Sequence, residues 1–311
     1  MDIACVGEMV IDFLPGDEAG IYLRKAGGAP ANVAIAAARN NLESGFCGRV
    51  GNDDFGRFLF GILKENRVSV LCPELVDEAI TTMAFVTLDD KGDRSFTFAR
   101  KPGADMFLTR DDVDRAGIID ASIVHAGSCS LSRLPASDAT RYALEQGKKA
   151  GRMISFDVNY RNLLWDDDRE AAAKAVREIL PLVDFLKISD EEADMIGGEE
   201  HLAATAAANG ITVIVETLGS KGARAFWNGR VLNVTGIRSE CVDATGAGDA
   251  FWGAFLSSLI RSGIKSADSL DEEILTRALT YGNVAGSLCV RKKGAIESLP
   301  TADEIEAFLK G

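Results

Sequence analysis

Histidine is nearly absent from this chain of 311 residues, which carries only His125 and His201. Two histidines on separate segments exclude a multi-histidine metal centre and leave two candidate bases for a Ser-His-Asp site. Any catalytic base is therefore expected to be a carboxylate. The six cysteines are scattered without a C-x-x-C pair, which excludes a zinc ribbon or a dithiol redox motif and indicates the reduced thiols of an intracellular protein.

Basic charge is also scarce, because 34 basic side chains face 47 acidic ones and the formal net charge is −13. Proteins that bind nucleic acids or anionic membranes need clustered cationic surface, so neither is expected as a partner. No run of about 18 uncharged apolar residues is long enough to span a membrane. The first apolar run contains Asp2, Glu8 and Asp12 and lacks the basic start of a signal peptide. The sequence therefore predicts a soluble, cytoplasmic protein.

Short β-branched runs alternate with segments of helical periodicity along most of the chain. This pattern predicts a doubly wound α/β fold, in which a mostly parallel sheet carries helices on both faces. The predicted strands are residues 3–6, 122–125, 153–158, 185–188 and 212–216. The predicted helices are residues 30–40, 55–66, 135–150, 167–180, 199–209, 247–261 and 272–289.

Two segments depart from this alternation and predict a small antiparallel sheet. Residues 82–88 and 94–99 alternate apolar and polar side chains on either side of a turn at residues 89–93. Residues 9–24 can supply further short strands. A small sheet inserted between βα units often serves as a lid that excludes water from a cleft. We expect a single domain over residues 1–311, with lid strands inserted at about 9–26 and 81–101.

Three small residues stand where a long helix is predicted to begin. Gly246, Ala247 and Gly248 directly precede Asp249. Backbone N–H groups at a helix N-terminus are unpaired and carry partial positive charge, so a phosphoryl group can bind there. A carboxylate beside such a site is unfavourable unless it has a task, such as taking the proton from an attacking hydroxyl. The alternative is that Asp249 only favours the helix start and that the glycines form a turn.

Two other phosphate-binding motifs are missing from the sequence. No segment matches G-x-x-x-x-G-K-[ST], and Gly246-x-Gly248 continues to Phe251, where the dinucleotide fingerprint requires glycine or alanine. A P-loop NTPase and an NAD-linked oxidoreductase are therefore disfavoured.

A second glycine-rich segment precedes the first predicted helix. Gly27 and Gly28 permit close contact with a ligand, Pro30 starts the helix, and Asn32 can both donate and accept hydrogen bonds. This combination suits a ligand rich in hydroxyl groups. The alternative is an ordinary entry into a helix with Asn32 on the surface. Asp12 is then either exposed at the end of its strand or engaged with the ligand.

Polar residues also follow two neighbouring predicted strands, at the sheet edge where open α/β folds bind ligands. Arg161 follows residues 153–158 and can hold a phosphate. Glu192 follows residues 185–188 and can help to hold Mg²⁺ through water. The alternative for Ser189 and Glu192 is a capping box at the start of a helix.

Taken together, Gly27-Gly28 with Asn32 and Asp243-Ala-Thr-Gly-Ala-Gly-Asp249 resemble the two signatures of the ribokinase-like, or pfkB-type, sugar kinases. The resemblance covers essentially the whole chain. It implies that Asp249 is the base for a sugar hydroxyl and that the amides of Ala247, Gly248 and Asp249 form the anion hole. It also implies that Asp12, Gly28, Asn32 and Asp249 bind the sugar.

The same resemblance implies ATP, Mg²⁺ and a monovalent cation, usually K⁺, as cofactors. Residues 217–222, with Thr217, Gly219 and Gly222, are similar to the family's nucleotide loop, and Asn283 is implied as a neighbour of the adenine. Ser189 replaces the asparagine of the family's Asn-x-x-Glu motif, as it does in fructokinases. The implied monovalent-cation positions, mostly through main-chain carbonyls, are Asp243, Thr245, Cys289, Lys292, Gly294 and Ser298.

The substrate is inferred from three strings that are similar to bacterial and plant fructokinases: residues 27–32, 94–105 and 156–161. They predict transfer of the γ-phosphate of ATP to the 6-hydroxyl of D-fructose. Related kinases of 2-keto-3-deoxygluconate, ribose or aminoimidazole riboside share these motifs and remain alternatives, as does a non-catalytic regulator that binds sugar or nucleotide. Phe98 and Arg100 are candidate lid residues that face either the sugar or a homodimer surface.

Overall fold

The computed structural model describes residues 1–16, 18, 20–88 and 94–311, with the backbone alone at residues 88 and 94–96. The predicted turn at residues 89–93 lies outside the described residues. The strands are β1 (Ile3–Val6), β2 (Val10–Pro15), β3 (Tyr22–Gly27), β4 (Ser44–Cys47), β5 (Ser69–Val70), β6 (Met83–Leu88), β7 (Arg94–Ala99), β8 (Ile123–Gly127), β9 (Met153–Asp157), β10 (Phe185–Ser189), β11 (Val213–Thr217), β12 (Gly222–Trp227) and β13 (Arg230–Thr235). The helices are α1 (Ala29–Arg39), α2 (Asp54–Glu65), α3 (Arg110–Ala116), α4 (Ala136–Lys149), α5 (Arg169–Ile179), α6 (Leu202–Asn209), α7 (Ala247–Arg261), α8 (Glu272–Cys289) and α9 (Ala302–Lys310).

The larger sheet has nine strands within the described residues, in the order β13-β12-β11-β10-β9-β8-β1-β4-β5. Its strands pair in parallel from β11 to β5, whereas β12 and β13 form an antiparallel edge. The predicted doubly wound, mostly parallel sheet is therefore confirmed. Since parallel strands end at the same edge, the polar residues that follow β1, β9 and β10 lie on one side of the molecule.

Helices cover both faces of this sheet because successive strand residues point in opposite directions. Ile3 and Cys5 of β1 lie in one buried core, together with apolar residues of α1, α7 and α8. Ala4 and Val6 lie in a second core, with residues of α4 and α5. Both faces of the central strands are thus buried, as a parallel sheet requires.

The smaller sheet has four strands in the part of the chain that the structure describes, in the order β3-β2-β6-β7. Strands β6 and β7 form the predicted antiparallel hairpin, and β2 joins it by pairing in parallel with β6. The predicted smaller sheet is therefore present apart from the main sheet, and its role as a lid stays a prediction. Among the described residues, no helix is both long and apolar enough to cross a bilayer. The cytoplasmic location stays a prediction.

Four strands and two helices were not predicted from the sequence: β4, β5, β12, β13, α3 and α9. Strand β4 reads Ser-Gly-Phe-Cys and β12 begins at Gly222, so neither shows a β-branched run. Strand β5 has only two residues. The predicted helix at residues 199–209 is also interrupted, because Glu199–His201 form a 3₁₀ turn before α6 begins.

Candidate active site

Helix α7 begins at a glycine that no other residue can replace without strain. Gly246 has φ +79°, and a Cβ there would lie 2.9 Å from Cα of Ala295. The first turn of α7 presents backbone N–H groups and the positive end of the helix dipole. The N–H of Ala247 donates to the carbonyl of Ala244 across 3.2 Å. The anion site predicted here therefore rests mainly on the amides of Gly248 and Asp249.

Asp249 lies in this first turn and is held by a residue from the other end of the sequence. Nδ2 of Asn32 donates to Oδ2 of Asp249 across 2.7 Å, and both side chains are buried. Helices α1 and α7 can approach closely because Gly253 has no side chain; a Cβ there would lie 2.5 Å from Cβ of Ala36. The surface position weighed for Asn32 is wrong, and the two glycine-rich segments form one site.

The charge state of Asp249 is set by opposing influences. Burial raises its pKa, while the hydrogen bond from Asn32 and the positive charges of Lys187 and Arg161 act to lower it. The net shift is upward. A carboxyl group with a raised pKa accepts a proton more readily, which suits a general base.

A buried ion pair lies beneath the first turn of α7. Nζ of Lys187 is 2.9 Å and 2.8 Å from the two carboxylate oxygens of Asp157, and the residues are register partners on neighbouring strands β10 and β9. Burial raises the pKa of Asp157 to about 6, although Lys187 opposes this shift. The pKa of Lys187 is raised, because nearby carboxylates outweigh the effect of burial.

On the other side of Asp249, a second group of acidic residues surrounds the start of α1. Gly28 has φ +110°, and a Cβ there would lie 2.5 Å from the carbonyl oxygen of Glu8. Gly27 leaves space for Asp12, because a Cβ on that glycine would be 2.2 Å from Oδ2. Burial raises the pKa of Glu8 to about 7 and that of Asp12 to about 6. The start of α1 therefore lies beside two buried carboxyl groups, which can accept hydrogen bonds.

The two lid candidates differ in their surroundings. Arg100 follows β7 and forms a buried ion pair, with Nη2 at 2.7 Å from Oδ2 of Asp105. Its Nη1 donates to Oγ of Ser132 across 3.1 Å. Its guanidinium is therefore engaged with protein groups that fix the end of the lid strand. Phe98 lies within β7, opposite Ala84 of β6, and is partly exposed.

The predicted nucleotide loop connects β11 to β12. Oγ1 of Thr217 donates to the carbonyl of Ile188 across 3.2 Å, and Gly219 has φ +57°. Gly222 is needed for packing, since a Cβ there would lie 2.1 Å from the carbonyl oxygen of Val234. Asn283 of α8 reaches this region, and its Nδ2 donates to that same carbonyl across 3.3 Å. The four residues predicted to contact ATP in this region therefore lie near the loop that connects β11 to β12.

Glu192 is buried, and each of its carboxylate oxygens accepts a backbone hydrogen bond. Oε1 accepts from the N–H of Tyr160 across 2.6 Å and Oε2 from that of Ser189 across 2.8 Å. The capping box weighed for this pair is present. Arg161 is exposed, yet its charge lowers the pKa of both Asp12 and Asp249. Its guanidinium therefore lies near both of these carboxyl groups.

Most of the predicted monovalent-cation positions form one network behind Gly246. Oδ1 of Asp243 accepts from Oγ1 of Thr245 across 2.6 Å, and Oδ2 accepts from the N–H of Gly294 across 3.0 Å. Sγ of Cys289 lies 3.0 Å from Oγ of Ser298. The side chain of Lys292 instead lies 3.3 Å from a carboxylate oxygen of Glu304. In the part of the chain that the structure describes, no three His, Cys, Asp or Glu side chains cluster as metal ligands.

Comparison with known proteins identifies the family. The sequence pattern described as "pfkB family carbohydrate kinase" matches residues 1–302. The chain belongs to the pfkB family of carbohydrate kinases. It is 38% identical over 320 residues to probable fructokinase-4 of Arabidopsis thaliana, with 99% of this chain and 97% of that protein covered. It is 38% identical to fructokinase-2 of Zea mays, with 96% and 91% covered.

Solved structures of pfkB-type kinases are similar along the whole chain. Fructokinase from Xylella fastidiosa with bound ATP superposes with a TM-score of 0.92 at 31% identity, covering 99% of this chain and 98% of that one. Fructokinase from Vibrio cholerae O395, in a form with fructose, ADP and calcium ion, has a TM-score of 0.87 at 36% identity and the same coverage. Aminoimidazole riboside kinase from Salmonella enterica has a TM-score of 0.86 at 27% identity, covering 99% and 100%.

This pfkB kinase also has a buried ion pair and a buried carboxyl group beside the candidate site that the sequence alone does not predict. Lys187 of β10 and Asp157 of β9 are not among the site residues that the sequence predicts. The signal was a lysine inside the buried strand Phe-Leu-Lys-Ile-Ser, since lysine is almost never fully buried unless it is paired. Glu8 lies within the first apolar run of the sequence, which assigns it no role. Its proximity to Asp12 could have been inferred only from the bend between β1 and β2.

Proposed function

We propose that this protein transfers the γ-phosphate of ATP to the 6-hydroxyl of D-fructose. The observation that carries the proposal is the buried contact between Asn32 and Asp249 at the N-terminus of α7. It joins a hydroxyl-binding segment to a base beside an anion site. Curated relatives at 36–38% identity over nearly the full chain are fructokinases, which favours fructose among the sugars of the family.

The mechanism follows from the positions of these groups. The sugar binds between the lid sheet and α1, where Asp12, Gly28 and Asn32 offer acceptors and donors to its hydroxyl groups. Asp249 takes the proton of the 6-hydroxyl, whose oxygen attacks the γ-phosphorus in line while the bond to the β-phosphate oxygen breaks. The amides of the first turn of α7 stabilise negative charge on the transferred group. Closure of the lid excludes water, which would otherwise accept the phosphoryl group.

Two cations complete the proposal. Mg²⁺ bound to ATP would neutralise charge on the phosphates. Glu192 fits a water-mediated role, because each oxygen accepts one backbone hydrogen bond and keeps a further lone pair. The oxygen-rich network around Asp243 and Ser298 fits a monovalent cation, and its position directly behind Gly246 would support the loop that opens α7. Comparing turnover in K⁺ and Na⁺ buffers, and with and without Mg²⁺, tests both.

The deciding experiment is an ATP-consumption assay across fructose, 2-keto-3-deoxygluconate, ribose and aminoimidazole riboside. Fructose is expected to give the highest kcat/KM, and NMR of the product should show phosphate on the 6-oxygen. A higher kcat/KM for another sugar would reassign the substrate within the family. ADP formation with none of them would support the non-catalytic regulator.

We also propose that two copies of this chain pair through their lids. On β3 and just before it, Ile21, Tyr22 and Leu23 are 48%, 42% and 49% exposed. Large apolar side chains along an edge strand favour pairing with another sheet. Light scattering should give a dimer mass for the protein and a monomer mass for Leu23→Asp. A wild-type monomer would contradict this.

A further inference from the structure

The Lys187–Asp157 pair is not used by the mechanism above, although it lies directly beneath the anion site. A Cβ built on Gly248 would lie 3.3 Å from Nζ of Lys187. Gly248 supplies one of the two amides on which the predicted anion hole mainly rests. The ammonium group therefore lies against the first turn of α7, where the phosphoryl group is expected to bind.

The hydrogen bonds of Lys187 leave one donor unassigned. A lysine ammonium group has three N–H donors, and the two contacts within hydrogen-bond distance in the described residues are to the oxygens of Asp157. The nearby carboxylates, Asp157 first among them, raise the pKa of Lys187 against the effect of burial, so it remains protonated. The third N–H of a buried ammonium strongly favours an anionic partner.

The energetics of buried ion pairs also favour a functional role. Removing two charges from water is costly, and an apolar pair of similar volume often stabilises a core equally well. On the same face, the neighbour of Lys187 along β10 is Phe185 of an apolar core, and the neighbour of Asp157 along β9 is Ser155, whose Oγ lies 2.9 Å from Nδ1 of His125. A buried charged pair often adds little net stability to a fold, whereas a fixed positive charge beside a phosphoryl group stabilises the charge that develops during transfer.

We propose that Lys187 is a further catalytic residue, whose ammonium group donates a hydrogen bond to the phosphoryl group during transfer, and that Asp157 is the positioning residue that orients it. The inference rests on the proposed kinase function. The ammonium group of Lys187, on β10, would then bind the phosphoryl group together with the backbone amides of α7.

The test compares three variants with the wild-type protein. Lys187→Met should reduce kcat about 100-fold, the scale of a lost anion-hole donor, with KM for fructose nearly unchanged. Because this variant leaves Asp157 buried without its partner, it can lose stability. The second variant combines Lys187→Met with Asp157→Leu and removes both charges; it should fold and remain about 100-fold slower. Lys148→Met is the matched control, since Lys148 pairs with Asp184 at the opposite end of β10; its turnover should match that of wild type.

A second measurement does not depend on the sugar. Calorimetry should show that the double variant binds the non-hydrolysable ATP analogue AMP-PNP about tenfold more weakly, while its affinity for ADP is unchanged. A folded double variant with near-wild-type turnover would overturn the proposal, as would equal losses for both nucleotides. If the wild-type protein phosphorylates no sugar, the proposed function fails, and the nucleotide comparison still decides whether Lys187 contacts the γ-phosphate.

Discussion

The two halves of the site use charge in opposite ways. On the phosphoryl side, Lys187 and Asp157 are in contact and each compensates the other. On the sugar side, Oε2 of Glu8 and Oδ1 of Asn32 are buried, and no described donor reaches either atom. Burial raises the pKa of Glu8 to about 7, and the charge of Asp105 adds to this shift while that of Arg100 opposes it.

This difference matches what each half is expected to bind. A phosphoryl group brings negative charge, so the protein supplies a positive charge and backbone amides. A sugar brings neutral hydroxyl donors, and acceptors left without protein partners can receive them. Buried polar groups without partners are unfavourable in the free protein, and a polyol ligand that completes their hydrogen bonds removes that penalty.

The largest effect is expected where the two halves meet. Asp249→Asn should reduce kcat by about 10²- to 10⁴-fold, because the amide cannot take the proton of the sugar hydroxyl. The fold should be retained, since asparagine is nearly isosteric and its amide can still bond to Asn32. Steady-state kinetics, with circular dichroism as the control for folding, check this. Near-normal turnover would remove Asp249 from the mechanism.

The sequence was sufficient for this first prediction because its motifs are local. The start of α7 and the Asp249 position can be read from seven consecutive residues, and the parallel sheet follows from the strand pattern. Contacts between residues far apart in the sequence cannot be predicted from local motifs. Lys187 meets Asp157 only because β9 and β10 are neighbours in one register, and Asn32 meets Asp249 only because Gly253 lets two helices touch.

The ion pair between Arg100 and Asp105 lies at the end of β7. We expect it to stabilise the fold, whereas Lys187 is proposed to act in catalysis. Arg100→Met should lower the free energy of unfolding by about 3 kcal/mol, because it leaves Asp105 buried without its main partner. The loss should be at the low end of the usual range, since Oγ1 of Thr82 still donates to Asp105. Urea unfolding measures it.

The matched experiment adds Asp105→Leu to Arg100→Met. Stability should recover when both charges are gone, and kcat per folded molecule should stay within about threefold of wild type. A 100-fold loss of kcat in this double variant would instead give Arg100 the sugar-facing role predicted from the alternation of β7.

A smaller effect is expected from Asn32→Ala, which weakens the contact between the two halves. Losing a hydrogen bond to a charged group should lower kcat/KM about tenfold. That bond also lowers the pKa of Asp249, so its removal should raise the pKa further. Since the base must be ionised, activity should be lost at a higher pH than in wild type. A pH–rate profile with an unmoved acid limb would contradict the assignment.

The smallest expected effect is a change of KM for fructose with pH, which distinguishes Asp12 from Glu8. Burial raises the pKa of Asp12 to about 6, and only its ionised form accepts a hydrogen bond at both oxygens. Lowering the pH from 7.5 to 6 protonates about half of Asp12, so KM for fructose should rise about twofold. Asp12→Asn should bind fructose more weakly at every pH and lose this dependence. Glu8→Gln is the control, because burial raises the pKa of Glu8 to about 7 and this carboxyl group also lies beside the start of α1. A pH dependence that disappears in this variant and persists in Asp12→Asn would assign it to Glu8.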